Sequence, residues 1–79
     1  MTEVYLDLRG LRCPLPALRT EKALAQLSPS ARLVVVCTDP LAGLDIPNLV
    51  RETGNHLVTQ GRAGAEWTFH IQKSDGKRT

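Results

Sequence analysis

Twice in this chain, a short run with the pattern of a β-strand leads to a proline that stands where a helix should begin. The first strand is predicted over residues 3–9, where apolar and polar side chains alternate, and its helix runs from Cys13 or Pro14 to about residue 26. The second strand is predicted over residues 32–38, whose nearly continuous apolar run suits a central position in a sheet. Proline is tolerated in the first turn of a helix because its missing N–H would have no partner there. The chain therefore begins as two strand-helix units.

The second helix is expected to begin at Thr38-Asp39-Pro40, with Thr38 or Asp39 as its cap and Pro40 in its first turn. One residue fits this helix badly, because Pro47 would remove a hydrogen bond from the helix interior. Two interpretations remain open. Either the helix kinks at Pro47, or the regular helix starts only near Asp45.

The last third of the chain has the pattern of a β-hairpin. Residues 57–60 and 65–72 are predicted as its strands around a turn at 61–64, with Trp67 and Phe69 directed toward the core. The complete order is β-α-β-α-β-β. We therefore expect an α/β (α+β) two-layer sandwich, in which two helices pack on one face of a four-stranded mixed sheet.

Length and composition limit the kinds of function that suit this chain. With 79 residues, we expect one domain over 1–73, a disordered tail over 74–79 and a functional site on the surface. A net charge of +2 is too small to indicate nucleic-acid binding. The longest apolar run, 33–37, is too short to cross a bilayer, and we identify no secretion signal. Two cysteines without such a signal predict free thiols in the cytoplasm.

The residues around Cys13 carry the clearest chemical signal in the chain. The thiolate, and not the thiol, is the nucleophilic form of cysteine, and a position at the start of a helix favours the thiolate through the helix dipole. Arg9 and Arg12 add positive charge in the turn before it. We therefore predict that Cys13 is a reactive site residue on the surface, supported by both arginines.

Two prolines are expected to hold this cysteine in place. Pro14 and Pro16 stiffen the start of the helix, and neither has an N–H to donate. The N–H groups of Leu15 and Ala17 are then left to face an anion. This pattern predicts a rigid turn that directs the sulfur of Cys13 outward.

The chain lacks the groups that would make Cys13 the nucleophile of a complete enzyme. His56 and His70 are expected to be surface histidines and not a base beside the thiol. Pro16 stands where a Cys-X-X-Cys pair would need its second thiol. The cysteines and histidines match no metal-binding spacing, so neither a metal nor a cofactor is expected. These features favour a carrier over a stand-alone enzyme. The thiol of such a carrier takes up sulfur as a persulfide.

The segment 6–16 resembles the signature of the TusA family of sulfur carriers, also called SirA-like, whose hallmark is Cys-Pro-X-Pro at the start of the first helix. Further segments, at 38–40, 45–47 and 52–54, look like the second-helix region of the same family. The resemblance covers about residues 4–72.

The resemblance implies a protein that carries persulfide sulfur on a single cysteine, here Cys13. Family members receive sulfur from a cysteine desulfurase or a rhodanese-like protein and pass it to a DsrE-like protein or another acceptor. The pathways served include tRNA thiolation, molybdenum-cofactor metabolism and sulfur oxidation. Leu15 departs from the glutamate that is frequent in members serving tRNA thiolation, so the partners of those members are not assumed here.

The remaining residues near Cys13 are expected to contact these partner proteins. Leu15 and Leu18 lie off the apolar face of the first helix and form a candidate docking patch. Arg19 and Lys22, with the arginines of the turn, are expected to steer partners or to stabilise the charged sulfur.

Two alternatives stay open at this point. The layer arrangement also resembles the C-terminal domain of a bacterial translation initiation factor, so a regulatory or RNA-binding module is the second hypothesis. Cys37, at the end of the second strand, is expected on the same sheet edge as Cys13. It is either a small apolar strand residue or a resolving thiol.

Overall fold

The computed structural model of the protein describes residues 3–74 and confirms the order β-α-β-α-β-β. The helices and strands are α1 (Leu15–Ala25), α2 (Ala42–Glu52), β1 (Glu3–Leu8), β2 (Arg32–Cys37), β3 (His56–Ala63) and β4 (Glu66–Gln72). The hairpin turn between β3 and β4 is shorter than predicted. Gly64 takes a φ of 62° there, a left-handed conformation that glycine adopts without steric cost.

The four strands form one mixed sheet in the order β1-β2-β4-β3. β1 and β2 run parallel, with Leu8 opposite Cys37, while β4 is antiparallel to both of its neighbours. Parallel strands bring their carboxyl ends to the same edge of a sheet. The loops that follow β1 and β2 therefore leave the sheet side by side, as the sequence predicted.

Both helices pack against the same face of the sheet, and the core lies between these two layers. Alternate residues of β2 and β4, among them Val35 and Phe69, meet Leu24 of α1 and Ile46 of α2 there. The buried cluster comprises Leu8, Leu24, Leu33, Val35, Cys37, Ala42, Ile46, Val50, Phe69 and Ile71. The two-layer α/β sandwich expected from the sequence is confirmed.

Helix α2 begins later than predicted and passes through its proline without interruption. It starts at Ala42, with Leu41 at the N-cap position, so the expected capping by Thr38 or Asp39 is wrong. The Thr38 hydroxyl instead accepts a hydrogen bond from the backbone N–H of Gly10. The helix runs from Ala42 to Glu52 with Pro47 inside it, so the interpretation that a regular helix starts only near Asp45 is wrong.

A close approach between α2 and the sheet depends on Gly43. A Cβ atom at this position would lie 2.6 Å from Cζ2 and 2.9 Å from Cζ3 of the Trp67 indole. Trp67 also stacks on Phe69, with ring centroids 5.9 Å apart, and packs against the core cluster as the sequence predicted. The glycine thus makes room for the aromatic side chain of β4 beneath the helix.

The end of the described chain is attached to the domain. The Lys73 ammonium group donates to the carbonyl of Leu24, and the Ser74 N–H donates to the Asn55 side chain. These bonds hold the chain one residue beyond the boundary expected at 73. The rest of the expected tail, 75–79, lies outside the described residues. In the described part of the chain, neither helix has the length and apolar character needed to cross a membrane.

Candidate functional site

Cys13 lies in the turn between β1 and α1, at the sheet edge where the two parallel strands end. Helix α1 begins only at Leu15, so the thiol precedes the helix instead of occupying its first turn. The side chain is exposed, as predicted. A hydrogen bond of 3.0 Å from the N–H of Gly10 to the Thr38 hydroxyl joins this turn to the loop after β2.

The hydrogen-bond partner of the thiol is a carboxylate on α2. The Cys13 Sγ lies 3.1 Å from Oδ2 of Asp45 and donates a hydrogen bond to it. A carboxylate oxygen of Asp39 completes the group, in which all three side-chain donor atoms lie within 4.8 Å of one another. The sulfur therefore sits among negative charges, and not among the positive charges expected from the sequence.

This setting stabilises the protonated form of Cys13. The hydrogen bond to Asp45 raises the pKa of the thiol above its ordinary value of 9.0, and partial desolvation adds to this rise. The charges of Asp45 and Asp39 act in the same direction. The sequence predicted a thiolate favoured by arginines and a helix end, so the structure reverses the expected direction of the change in pKa.

Arg9 points away from the sulfur because of the alternation along β1. It lies on the sheet face that carries no helix, where its guanidinium forms two bonds of 2.9 Å with the Asp7 carboxylate. A second ion pair, at 3.6 Å, reaches Glu66 at the start of β4. Arg9 thus links the ends of β1 and β4, and the structure does not bring it to Cys13.

Arg12 stays on the same edge as the thiol and is exposed. It lines a depression between the two loops, together with Gly10, Thr38 and Pro40. Within residues 3–74, Arg12 makes no ion pair. Of the two arginines expected to support Cys13, Arg12 is therefore the one available near it.

The two prolines of the turn are placed differently. Pro16 is fully buried, so it anchors the start of α1 in the domain, whereas Pro14 is exposed at the N-cap position. The Leu15 N–H donates to the carbonyl of Arg12 at 2.8 Å. The expectation that this donor faces an anion is therefore wrong.

Exposed leucines lie near the starts of both helices, and Leu18 lines the same groove as Cys13. Leu15 and Leu18 are 42% and 53% exposed, in agreement with their predicted position off the buried face of α1. Leu41 and Leu44, around the start of α2, are exposed to 51% and 62%, and neither was predicted as a site residue from the sequence. Leu44 gave the same signal as Leu18, because it too falls outside the apolar stripe of its helix.

A groove between α1 and α2 leads away from Cys13 and is acidic. Its polar lining consists of Glu21 from α1 and of Asp45, Asn48 and Glu52 from α2. Arg19 and Lys22 are exposed on α1, but neither of them lines this groove. The sequence placed the positive charges of α1 near the thiol and missed the carboxylates that the packing of the two helices brings there.

Asp39 is the least exposed charged residue of the site. Its side chain is only 8% exposed, and its Oδ2 finds no hydrogen-bond partner within the described residues. Asp39, Asp45 and Cys13 are also the side chains in this part of the protein that could ligate a metal ion together. Spacing along the chain gave no sign of this grouping because its members come from different elements.

The remaining candidates do not belong to the group of Cys13, Asp39 and Asp45. Cys37 is completely buried, and burial together with the nearby charge of Asp39 raises the pKa of its thiol to about 11. His56 is exposed at the start of β3, and His70 is half-buried on β4. Neither histidine belongs to the group around Cys13.

Comparison with known proteins gives one consistent family. The sequence model of the family described as "Sulfurtransferase TusA" matches residues 4–73. "Sulfur carrier protein TusA" of Allochromatium vinosum is 41% identical over 69 residues, which cover 87% of this chain and 91% of that protein. A protein of the same description from Pseudomonas aeruginosa is 32% identical over 71 residues, which cover 90% of each chain.

The fold also has a counterpart among solved structures. The crystal structure of a SirA-like protein from Desulfitobacterium hafniense superposes with a TM-score of 0.78. The match covers 90% of this chain and 97% of that one at 19% sequence identity. It supports the two-layer arrangement with four strands and two helices.

Proposed function

Since the chain belongs to the TusA family of sulfur carriers, we propose that it takes up sulfane sulfur as a persulfide on Cys13 and hands that sulfur to a partner protein. The observation that carries the assignment to this residue is the position of the thiol. Cys13 is exposed at the edge where both strand-helix loops emerge, whereas Cys37 is buried. Cys13 is therefore the thiol that another protein can reach.

The proposed transfer needs only two cysteines and a docked complex. The Cys13 sulfur attacks the terminal sulfur of a persulfide on the donor, a new S–S bond forms, and the S–S bond of the donor breaks. The donor cysteine leaves as a thiolate and takes up the proton that Cys13 gave up. The reaction consumes neither an oxidant nor a reductant, and an acceptor thiolate removes the sulfur by the same exchange.

The group around Cys13 in the described part of the chain consists of the thiol and two carboxylates, which supports a carrier over a stand-alone sulfurtransferase. Neither a histidine nor a second thiol belongs to the described group around Cys13. Under this proposal, Pro14 and Pro16 position the turn, and Arg12 remains a candidate for contact with the charged sulfur. Donors and acceptors provide the remaining chemistry.

The exposed leucines are the proposed contact surface for these partners. Leu15 and Leu18 are exposed near the start of α1, and Leu41 and Leu44 are exposed near the start of α2. Exposed apolar patches on a protein surface are typical of sites where another protein binds. Arg19 and Lys22 lie outside the groove on α1 and could steer a partner from its rim.

The candidate donors are a cysteine desulfurase or a rhodanese-like protein, and the candidate acceptor is a DsrE-like protein or another thiol protein. These classes follow from the family. Within this proposal the protein works in the cytoplasm, where free thiols persist. The pathway, whether tRNA thiolation, molybdenum-cofactor metabolism or sulfur oxidation, depends on which of these proteins accompany it.

Loading with sulfur followed by intact mass measurement tests the proposal. Incubation with a persulfide donor should add ~32 Da, the mass of one sulfur atom, and a reductant should remove it. Cys13→Ser should gain no sulfur, while Cys37→Ala serves as the matched control and should load as the wild type does. Equal loading of Cys13→Ser and wild type would contradict the assignment.

An RNA-binding module of similar fold remains the alternative. The carboxylates of Glu21, Asp45 and Glu52 beside the thiol would repel phosphates, which weakens this alternative for the edge that carries Cys13. RNA binding that falls with salt and survives Cys13→Ser would support it.

A further inference from the structure

We propose that Asp45 restrains Cys13 in the free protein, and that a cationic group of the sulfur donor releases the thiol by pairing with Asp45. This inference deepens the proposed carrier function and rests on it. It assigns to Asp45, which contacts the reacting sulfur, the role of holding the thiol protonated until a donor arrives. It also assigns a chemical character to the partner, which must present a basic side chain next to its persulfide.

The geometry of Asp45 makes it a fixed acceptor for the thiol proton. Its carboxylate stands 3.1 Å from the Cys13 Sγ, and its backbone N–H donates to the carbonyl of Leu41 at 2.9 Å in the first turn of α2. The residue is half-buried, which limits the directions its side chain can take. The helix therefore holds the carboxylate against the sulfur.

Within residues 3–74, no cationic side chain forms an ion pair with Asp45. Among residues 3–74, the ion pairs are those that Arg9 makes with Asp7 and Glu66. Asp39 adds a second carboxylate to the group and has a buried oxygen without a partner in the described chain. Loss of the thiol proton would thus place a third negative charge within 4.8 Å of two others.

The other charged groups around the thiol come from each element that borders it. Glu21 of α1 and Glu52 of α2 line the groove with Asp45, and Arg12 is the cation of the same turn. The rise in the pKa of the thiol agrees with a surrounding in which carboxylates outnumber cations.

A basic side chain of a partner would counteract the carboxylates that keep the Cys13 thiol protonated. Paired with Asp45, an arginine or lysine would compete with the thiol for Oδ2 and offset the charge that opposes the thiolate. The groove carboxylates at Glu21 and Glu52 would favour the approach of such a group. The proton of Cys13 then leaves, the thiolate attacks the donor persulfide, and the departing donor thiolate takes up a proton.

Alkylation rates test the restraint without any sulfur donor. We would measure the reaction of iodoacetamide with the wild type, Asp45→Asn and the control Glu52→Gln between pH 6 and pH 10. Glu52→Gln also removes one negative charge from this groove, but it leaves the Asp45 carboxylate in place as the acceptor of the hydrogen bond from Cys13. Asp45→Asn should move the midpoint of the profile to lower pH, and a midpoint lower by about 1 makes the reaction at neutral pH about tenfold faster. Glu52→Gln should stay close to the wild type.

If the rate of alkylation depended on pH equally in the wild type and in Asp45→Asn, the proposal that Asp45 restrains Cys13 would be overturned. An equally large change of the midpoint in Glu52→Gln would overturn the specific role of Asp45, because any carboxylate of the groove would then have the same effect on the thiol. Far-UV circular dichroism and urea unfolding of each variant would identify a misfolded protein, and Asp45→Glu, which keeps the carboxylate, should restore a midpoint near that of the wild type.

Two synthetic peptides test the release. Both carry one cysteine persulfide, flanked in one peptide by two arginines and in the other by two glutamines. The wild type should be loaded at least about fivefold faster by the arginine peptide at low salt, and Asp45→Asn should lose this preference. Glu52→Gln should keep most of it.

The outcomes separate this inference from the carrier function. Loading of the wild type by both peptides at equal rates, or an unchanged preference in Asp45→Asn, overturns the release while the carrier function stands. No loading of the wild type by either peptide overturns the carrier function and the release together. The iodoacetamide profile decides the restraint in either case.

Discussion

The thiol of Cys13 and the carboxylate of Asp45 meet at 3.1 Å although the two residues are 32 positions apart in the chain. One belongs to the loop after β1, and the other to the first turn of α2. The contact exists because β1 and β2 run parallel and deliver both loops to one edge. The reactivity of the cysteine is therefore a property of the folded domain and not of the Cys-Pro-X-Pro segment alone.

Alkylation of the native protein at pH 8 should stop at one adduct. Cys13 is exposed, while Cys37 is fully buried and has a pKa of about 11, so the Cys37 thiol is both covered and protonated. Mass spectrometry should show one label before denaturation and two labels after it. Cys13→Ser is the control and should take up no label while folded. Rapid labelling of Cys37 in the native protein would revive its role as a resolving thiol.

The substitution Leu44→Glu should slow sulfur transfer to a protein partner about tenfold or more, because it puts a charge into the proposed apolar contact surface. Leu18→Glu should act in the same direction. The rate of transfer from a donor protein measures the effect, and iodoacetamide labelling of Cys13 checks that the thiol is intact.

Val58→Glu is the matched control for these two variants, because Val58 is 42% exposed on β3, away from the thiol. It should leave transfer unchanged. If all three variants slowed transfer equally, the leucines would have no special role, and a parallel loss of labelling would point to misfolding.

The substitution Gly43→Ala should destabilise the domain by about 1–3 kcal/mol, because the new methyl group would overlap the Trp67 indole. Urea unfolding followed by Trp67 fluorescence measures this change. Gly61→Ala is the control: a Cβ there has no neighbour within 4 Å, so the free energy of unfolding should change by less than about 0.5 kcal/mol. Equal stability of both variants would show that the helix moves aside at little cost.

The ion pair between Asp7 and Arg9 should make part of the folding stability depend on pH below about 4. Hydrogen bonds from Arg9 lower the pKa of Asp7 from 3.8 to about 2. Because the folded-state value is the lower one, the stabilisation is present above about pH 4 and is lost as the pH falls toward 2. A carboxyl NMR titration should place Asp7 near 2 in the wild type and near its ordinary value in Arg9→Gln.

Arg62→Gln is the control for this titration, because Arg62 stacks on Trp67 and makes no ion pair with Asp7 among the described residues. It should leave the Asp7 titration in place. A normal pKa for Asp7 in the wild type would show that the ion pair does not persist in solution.

The strands, the helices and the exposed cysteine could be predicted because each depends on local rules. Alternation marks β1, a continuous apolar run marks the central β2, and the prolines mark the start of α1. The same alternation also held a signal that was not used. Arg9 follows Tyr5 and Asp7 on the outward face of β1, which already directs it away from the helices and from Cys13.

The surroundings of the thiol could not be predicted in the same way. The contact between Cys13 and Asp45 depends on how α1 and α2 pack, and on a start of α2 that lies beyond Pro40. Neither quantity is encoded in spacing along the chain. Arginines next to Cys13 in sequence therefore suggested a thiolate, whereas carboxylates near it in space favour the thiol.

The hydrogen bond between Cys13 and Asp45 also affects how such a residue would be found. Surveys that rank cysteines by their speed of reaction with small electrophiles select those with a low pKa. A cysteine held by a carboxylate would fall near the bottom of such a ranking, among structural thiols. Proteins of this kind are better detected through the sulfur they carry than through the reactivity of their resting state.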